Sequence, residues 1–249
     1  MIDVKTEDGI ATVTMRHGKA NALDITLCEG LADCFDRLRV SDARAVVLTG
    51  QGRIFSAGVD LLQVSAGGAD YIRRFLPILH RMYEAVFFHP KPLVAAVNGH
   101  AIAGGCVLAC CADRRIMARG SGRMGITELL VGVPFPALAF EIVRFAVPRR
   151  YLPEFTYTGA TYDIEASLAR GWVDELVDAN ALTQRARNAA QEMARLSPRA
   201  FTLAKKQLRQ QVSERVERGG VTTDQTVTDI WTEALGYIRD YVARTLNKS

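Results

Sequence analysis

The sequence has no apolar run long enough to cross a bilayer. Its longest, near Ala101–Ala112 and Leu129–Phe140, are too short and are interrupted by glycine or proline. No apolar segment of the signal-peptide kind comes after Met1-Ile2-Asp3-Val4-Lys5. Cysteine is sparse: five residues, an odd number, none in a Cys-x-x-Cys spacing. That pattern argues against a disulfide framework and against a zinc site. The expectation is a reduced, cytoplasmic protein with no metal and no membrane partner. A strong charge bias is also missing, since 31 Lys and Arg face 27 Asp and Glu, a formal +4. Nucleic-acid binders usually concentrate a basic face, so none is expected as a partner. The densest cluster, Lys205, Lys206, Arg209, Arg215 and Arg218, is expected to be a solvated helix face. Low-complexity linkers are absent too, and 249 residues that are 49% hydrophobic suit one substantial core with a small appended part.

Strand–turn–helix punctuation is plentiful by contrast. Residues 2–15 alternate around Asp8-Gly9, the mark of a hairpin. Asp24 is placed to cap a helix carrying Leu27, Leu31, Cys34, Phe35 and Leu38 on one face. Ala45–Thr49 reads as a buried strand, with the glycine turn Phe55-Ser-Ala-Gly-Val-Asp-Leu61 after it and then a helix from about Asp70 to His89. Leu93–Val97 is another buried strand; after Asn98-Gly99, Gly104 and Gly105 open a helix that carries Cys106, Cys110 and Cys111 as small buried hydrophobes. Arg115–Ala118 and Trp172–Val177 read as strands, 137–146, 149–157 and 163–169 as helices, and Gly132–Pro136 as an irregular loop. From Ala179 the chain is helical: Ser197-Pro198 starts one helix, Gly219-Gly220 breaks it, and Thr222/Thr223 begin a last one with the stripe Val227, Ile230, Trp231, Ala234, Leu235, Ile238, Val242 and Leu246. The expected division is a core at 1–196 and a helical region at 197–249.

A glycine turn that opens a helix leaves backbone N–H groups unpaired and lets a ligand approach the main chain. Two such turns, with the N–H of Val59 and of Gly104, can make an oxyanion hole; glycines needed only for tight packing would give the same sequence. A carbonyl that gains negative charge is stabilised in such a hole, which suits acyl transfer and enolate formation alike. Acyl transfer needs an activated nucleophile, and Ser56 and Cys106 have no obvious histidine partner; His17, His80, His89 and His100 fit surface or turn positions. Proton transfer needs only a base. Glu128, with Leu129, Leu130 and Val131 after it, is the candidate, because an apolar site raises a carboxylate toward neutrality. A solvated acid in a first helical turn is the plainer alternative.

Phe55-Ser-Ala-Gly-Val-Asp-Leu61, Ala103-Gly-Gly-Cys106 and Thr127-Glu-Leu-Leu-Val-Gly132, in this order, resemble the crotonase superfamily of enoyl-CoA hydratases and isomerases. Asn21-Ala-Leu23, Asp113-Arg-Arg-Ile116, Tyr157-Thr-Gly159 and Ala169-Arg-Gly-Trp-Val173 extend the likeness over residues 1–180. The resemblance implies an α/β fold, a spiral of ββα repeats with a C-terminal all-helical extension used in trimerisation. It implies a homotrimer or a hexamer built as a dimer of trimers. It also implies an acyl-CoA thioester on the Val59 and Gly104 amides, contacts to Ala20, Ala57, Gly58, Val59, Asp60, Leu61, Gly104, Val107 and Phe135, and no cofactor beyond the substrate's coenzyme A.

Within that resemblance the acids separate the activities. Hydratases carry two glutamates, at the positions matching Val107 and Glu128; here only the second is an acid. One glutamate facing an aliphatic wall resembles the 3,2-trans-enoyl-CoA isomerases, with Glu128, Val59 and Gly104 as the catalytic groups. A hydratase, lyase or hydrolase using another acid, such as one from Pro134–Glu141, and a non-catalytic CoA-binding member are the alternatives. Val133-Pro-Phe-Pro136 departs from the hydratase glycine-rich form and leaves the acyl-chain shape open.

Overall fold

The computed structural model describes residues 1–218 and 224–245. Strands β1 (Ile2–Glu7) and β2 (Ile10–Met15) form the expected hairpin, with Ile2 opposite Met15 and Glu7 opposite Ile10. Its turn uses positive φ at Asp8 and Gly9, 51° and 75°, as tight hairpins require. Alternation along β2 sends Ala11, Val13 and Met15 into the main core and Ile10 into a second apolar layer. Helix α1 (Ile25–Val40) is capped by Asp24, whose carboxylate accepts the Leu27 N–H at 2.7 Å.

Three repeats come next. The first is β3 (Ala45–Gly50), β4 (Ile54–Ser56) and α2 (Leu61–Phe87). The second is β5 (Leu93–Val97), β6 (His100–Ile102) and α3 (Gly104–Cys110). The third is β7 (Arg114–Ala118), β8 (Met124–Gly125) and a 3₁₀ turn at Glu128–Val131. In each, the first strand joins a large sheet and the second a small one. The large sheet runs β1-β2-β3-β5-β7-β9, with β9 at Glu175–Val177, and is parallel from β2 onward. The small sheet, β4-β6-β8, is parallel throughout. Leu93, Ala95 and Val97 face one apolar layer and Val94 and Ala96 the other. A strand covered on both faces therefore reads as an unbroken apolar run.

Helices α4 (Ala137–Ala146), α5 (Leu152–Thr158) and α6 (Ile164–Ala169) precede β9; α7 (Leu182–Ala194), α8 (Pro198–Glu217), α9 (Asp224–Glu233) and α10 (Leu235–Thr245) come after it. The expected spiral of ββα repeats with a helical extension is what the chain forms.

Several elements differ from the sequence reading. Helix α2 starts at Leu61, because Asp60 caps it through the N–H groups of Leu62 and Gln63; the run is interrupted at Gly68, φ 58° and ψ −148°. Strand β6 is hidden among the residues between Asn98-Gly99 and the glycine pair, and β9 is shorter than Trp172–Val177. The last helix is two, α9 and α10, joined at Ala234; Val227, Trp231, Ala234, Ile238 and Val242 bury into the chain's own core. The break at Gly219-Gly220, the start at Thr222/Thr223 and Leu246 lie outside the described residues. The basic cluster is not wholly solvated: Lys205 and Arg209 are buried, both bonded to Asp113 at 2.6 Å. His89 is not at the surface either, being fully buried at the end of α2.

Candidate functional site

The parallel pairing of β4, β6 and β8 makes all three strands end on the same side of the small sheet. Ala57-Gly58-Val59-Asp60 leaves β4 there, Ala103-Gly104-Gly105 leaves β6, and the turn that carries Glu128 leaves β8. The first two are packed backbone against backbone. A Cβ on Gly58, where φ is +84°, would stand 2.7 Å from the Ile102 carbonyl oxygen and 3.1 Å from the Gly104 nitrogen. One on Gly105 would stand 2.3 Å from the Ser56 carbonyl oxygen. Only glycine allows this approach.

The loop ahead of α1 fixes the first turn. Leu23 donates its N–H to Gly58 at 2.8 Å and accepts from Asp60 at 3.0 Å; Ala57 donates to the Ala20 carbonyl at 3.0 Å. Asn21, buried and at φ 46°, donates to the carbonyls of Ile54 and Phe55. Between the Leu23 bonds the Val59 N–H makes no backbone hydrogen bond among the described residues, and neither does that of Gly104, the first residue of α3. Ala103 sits at φ 49° and ψ −127°, a conformation costing a non-glycine residue about 1–3 kcal/mol. It is held there by its N–H to Gly125 at 2.8 Å and by its carbonyl accepting from Cys106 and Val107. The strain orients the peptide that carries the Gly104 N–H.

Glu128 is 9% exposed, and its Oε2 is buried with no hydrogen-bond partner among the described residues. Burial pushes its carboxyl up from 4.5 to about 7, against the pull of the Glu128 and Thr127 N–H groups. It is therefore no solvated helix-start acid. Its charge acts on Tyr83 and Cys106, and the Tyr83 hydroxyl donates to the Gly104 carbonyl at 2.9 Å. Glu128 and the Gly104 turn thus share neighbours. Val107, fully buried, lies one turn of α3 beyond Gly104. Phe135 is buried beside Val131 and Val133, and the Trp231 indole N–H of α9 donates to the Pro134 carbonyl at 3.1 Å, clamping that loop.

Of the sequence-predicted residues, Ala20, Ala57, Gly58, Val59, Asp60, Leu61 and Gly104 gather around the paired turns, with Asp60 engaged as the cap of α2. Ser56 donates to the Asn21 carbonyl at 2.8 Å and Cys106 lies beside Cys110; among the described residues neither hydrogen-bonds a histidine. Glu141, the acid of the Pro134–Glu141 segment, is held by Arg144 at 2.8 Å and Arg215 at 3.2 Å. Sequence reasoning missed Tyr83, which reads as one more apolar position on the inner stripe of α2. It also missed the strain at Ala103, which only dihedral angles reveal.

Comparison with known proteins gives concordant results. The family model described as enoyl-CoA hydratase/isomerase matches residues 5–234. A putative enoyl-CoA hydratase of Thermus thermophilus is 33% identical over 211 residues, 82% of this chain and 83% of that one. A probable enoyl-CoA hydratase of Mycobacterium tuberculosis is 28% identical in structure-based comparison, with TM-score 0.80 over 100% and 99% of the two chains. A second structure of that mycobacterial protein, without ligand, is described as an enoyl-CoA isomerase. Human mitochondrial delta3-delta2-enoyl-CoA isomerase superposes with TM-score 0.91 over 100% and 99% of the chains at 22% identity, a likeness of fold.

Proposed function

Because the chain belongs to the enoyl-CoA hydratase/isomerase family of acyl-CoA-metabolising enzymes, we propose that its reaction is the shift of a double bond, from 3-enoyl-CoA to 2-trans-enoyl-CoA. The observation that carries this reading is the single free acid beside the glycine turns among the described residues. Glu128 is buried, unpartnered at Oε2 and near neutrality, whereas Val107 offers no carboxylate and Glu141 is engaged by two arginines. The names of the relatives do not separate the activities, since one mycobacterial protein carries both.

In this mechanism the thioester oxygen lies against the N–H groups of Val59 and Gly104. The Glu128 carboxylate removes a proton from the α-carbon, and the electron pair moves into the thioester as an enolate, its negative oxygen held by the two amides. Protonated Glu128 then delivers that proton to the γ-carbon, and the enolate collapses to the conjugated thioester. No water is consumed and Glu128 ends as it began. A pKa near 7 fits a group that is base in one half-reaction and acid in the next. Coenzyme A runs along Ala20 and Ala57–Leu61, and the acyl chain meets Val107 and Phe135. No further cofactor takes part.

The protein is proposed to assemble as a homotrimer or hexamer. Leu196, Leu203 and Leu208, around α8, and Tyr237 on α10 are more than half exposed, an apolar display that association would cover. The deciding experiment incubates the protein with 3-hexenoyl-CoA and with 2-hexenoyl-CoA and monitors conjugated-thioester absorbance. Gain of absorbance with the first and little loss with the second supports the isomerase. Rapid loss with the second and no gain with the first gives the hydratase.

A further inference from the structure

Far from the glycine turns, α8 leans over the C-terminal ends of α1 and α2 and roofs a hollow of about 360 Å³. Arg39, His89, Lys205, Lys206 and Arg209 line it, with Phe88 and Pro90 as an apolar wall. No carboxylate is among the lining residues. Lys205 and Arg209, both buried, share Asp113 behind them. Two cations against one carboxylate leave a surplus, and Arg39 and Lys206 at the exposed rim make no ion pair among the described residues. The adjoining hollow brings Asp36 and Glu84 toward Arg39, but Asp36 is bonded to Arg81 at 3.1 Å and Glu84 pairs with no cation there.

His89 is the second observation. It is completely buried, and neither Nδ1 nor Nε2 has a hydrogen-bond partner among the described residues. Buried polar side chains nearly always find one. Burial first, then Lys205, Arg39, Lys91 and Arg209, push its pKa down to about 3, so the ring is neutral. After burial, the largest influences on it are the cations Lys205, Arg39, Lys91 and Arg209.

We propose that this hollow is a binding site for a small phosphomonoester. Its dianionic head answers the charge that Asp113 leaves over on Lys205 and Arg209, together with Arg39 and Lys206, with Arg39 supplying the planar fork that suits phosphate oxygens. Its apolar part lies on Phe88 and Pro90, and the unpartnered ring of His89 becomes a donor to the head group when the side chains that cover it shift aside. The volume falls in the usual range for small-molecule sites. It is not the thioester site: Leu61 and Phe88 stand at opposite ends of the 27-residue α2, roughly 40 Å of helix less the bend at Gly68.

The test titrates inorganic phosphate, phenyl phosphate and benzoate into the full chain at constant ionic strength. The readouts are calorimetry and the imidazole resonances of His89, with His89→Gln assigning those resonances. The expected result is one saturable site for phenyl phosphate with Kd of about 1 mM or tighter, weaker inorganic phosphate, still weaker benzoate, and a moving His89 signal. Lys206→Gln and Arg39→Gln, both at the exposed rim, should each weaken phenyl phosphate by about fivefold or more. A saturating acyl-CoA should leave the affinity unchanged. Benzoate binding as tightly as phenyl phosphate, a static His89 signal, unaltered affinity in both rim variants, or competition by acyl-CoA would each overturn the proposal.

Discussion

Replacing Glu128 by glutamine tests the chemistry and the electrostatics in one variant. The carboxylate is buried and titrates near 7 instead of 4.5. That displacement means that keeping Glu128 ionised above neutral pH costs the folded protein about 3 kcal/mol. The sign comes from proton binding. Between pH 4.5 and 7 the unfolded chain has lost the proton that the folded chain retains, so this group's contribution to stability falls as pH rises and is constant above about 7. Glutamine keeps the shape and accepts the same backbone N–H groups without charge. Glu128→Gln should therefore be more stable than wild type at pH 8, by roughly 1–3 kcal/mol once its own buried amide is counted, and indistinguishable at about pH 4.5. Turnover of 3-hexenoyl-CoA should drop by about 10²–10⁴, with acyl-CoA binding retained. The wild-type kcat/KM should rise about tenfold per pH unit below 7 and level off above. Urea unfolding at about pH 5 and 8, together with the absorbance assay, measures all of this. A variant less stable than wild type at pH 8, or one that still isomerises at a comparable rate, would refute the reasoning.

Other residues give further expectations. Val107→Glu should raise hydration of 2-hexenoyl-CoA by supplying a second acid, and should lower the melting temperature because the carboxylate enters a fully buried position; unchanged hydration in a folded variant argues against Val107 facing the substrate. Gly58→Ala puts a methyl group against Ile102, Ala103 and Gly104 at a φ of +84°. It should cost roughly 2 kcal/mol or more and most of the activity, read by chemical denaturation and by rate. Truncation after Gly220 removes Trp231 from Pro134 and uncovers the core face that α9 and α10 fill, so the shortened chain should aggregate in light scattering, where the intact protein should have the mass of a trimer or hexamer.

Much of the architecture is legible because the strands announce themselves. Leu93–Val97 and Ala45–Leu48 are unbroken apolar runs, and a strand buried on both faces has no polar position to interrupt it. Short strands are different: β6, at three residues, carries no periodicity to count. The start of α2 is masked because Gly67-Gly68 looks like a terminus, yet Asp60 caps a first turn upstream of it. The Val59 and Gly104 positions are readable from motif order, since glycine marks close backbone approach. Lys205 and Arg209 look like surface residues because their partner, Asp113, stands about 90 residues earlier. Charge pairing at such separation leaves no local trace. Tyr83 is obscure for a similar reason: its ring satisfies the apolar stripe, and only its hydroxyl reaches the turn.

The two unpaired amides of the glycine turns have an evolutionary corollary. A side-chain mutation cannot delete an N–H, and substituting the glycines beside it wrecks the turn before it alters the chemistry. Alanine scanning would therefore pass over the proposed role of these amides in silence, and a backbone amide-to-ester exchange at residue 59 or 104 is what would expose it. Divergence meets the same constraint. With the proposed anion holder written into the main chain and shielded from point substitution, new reactions would come from the side chains proposed to face it, at positions such as 107, 128 and 135. One hole can thus serve many acids, and a single codon can separate neighbouring chemistries.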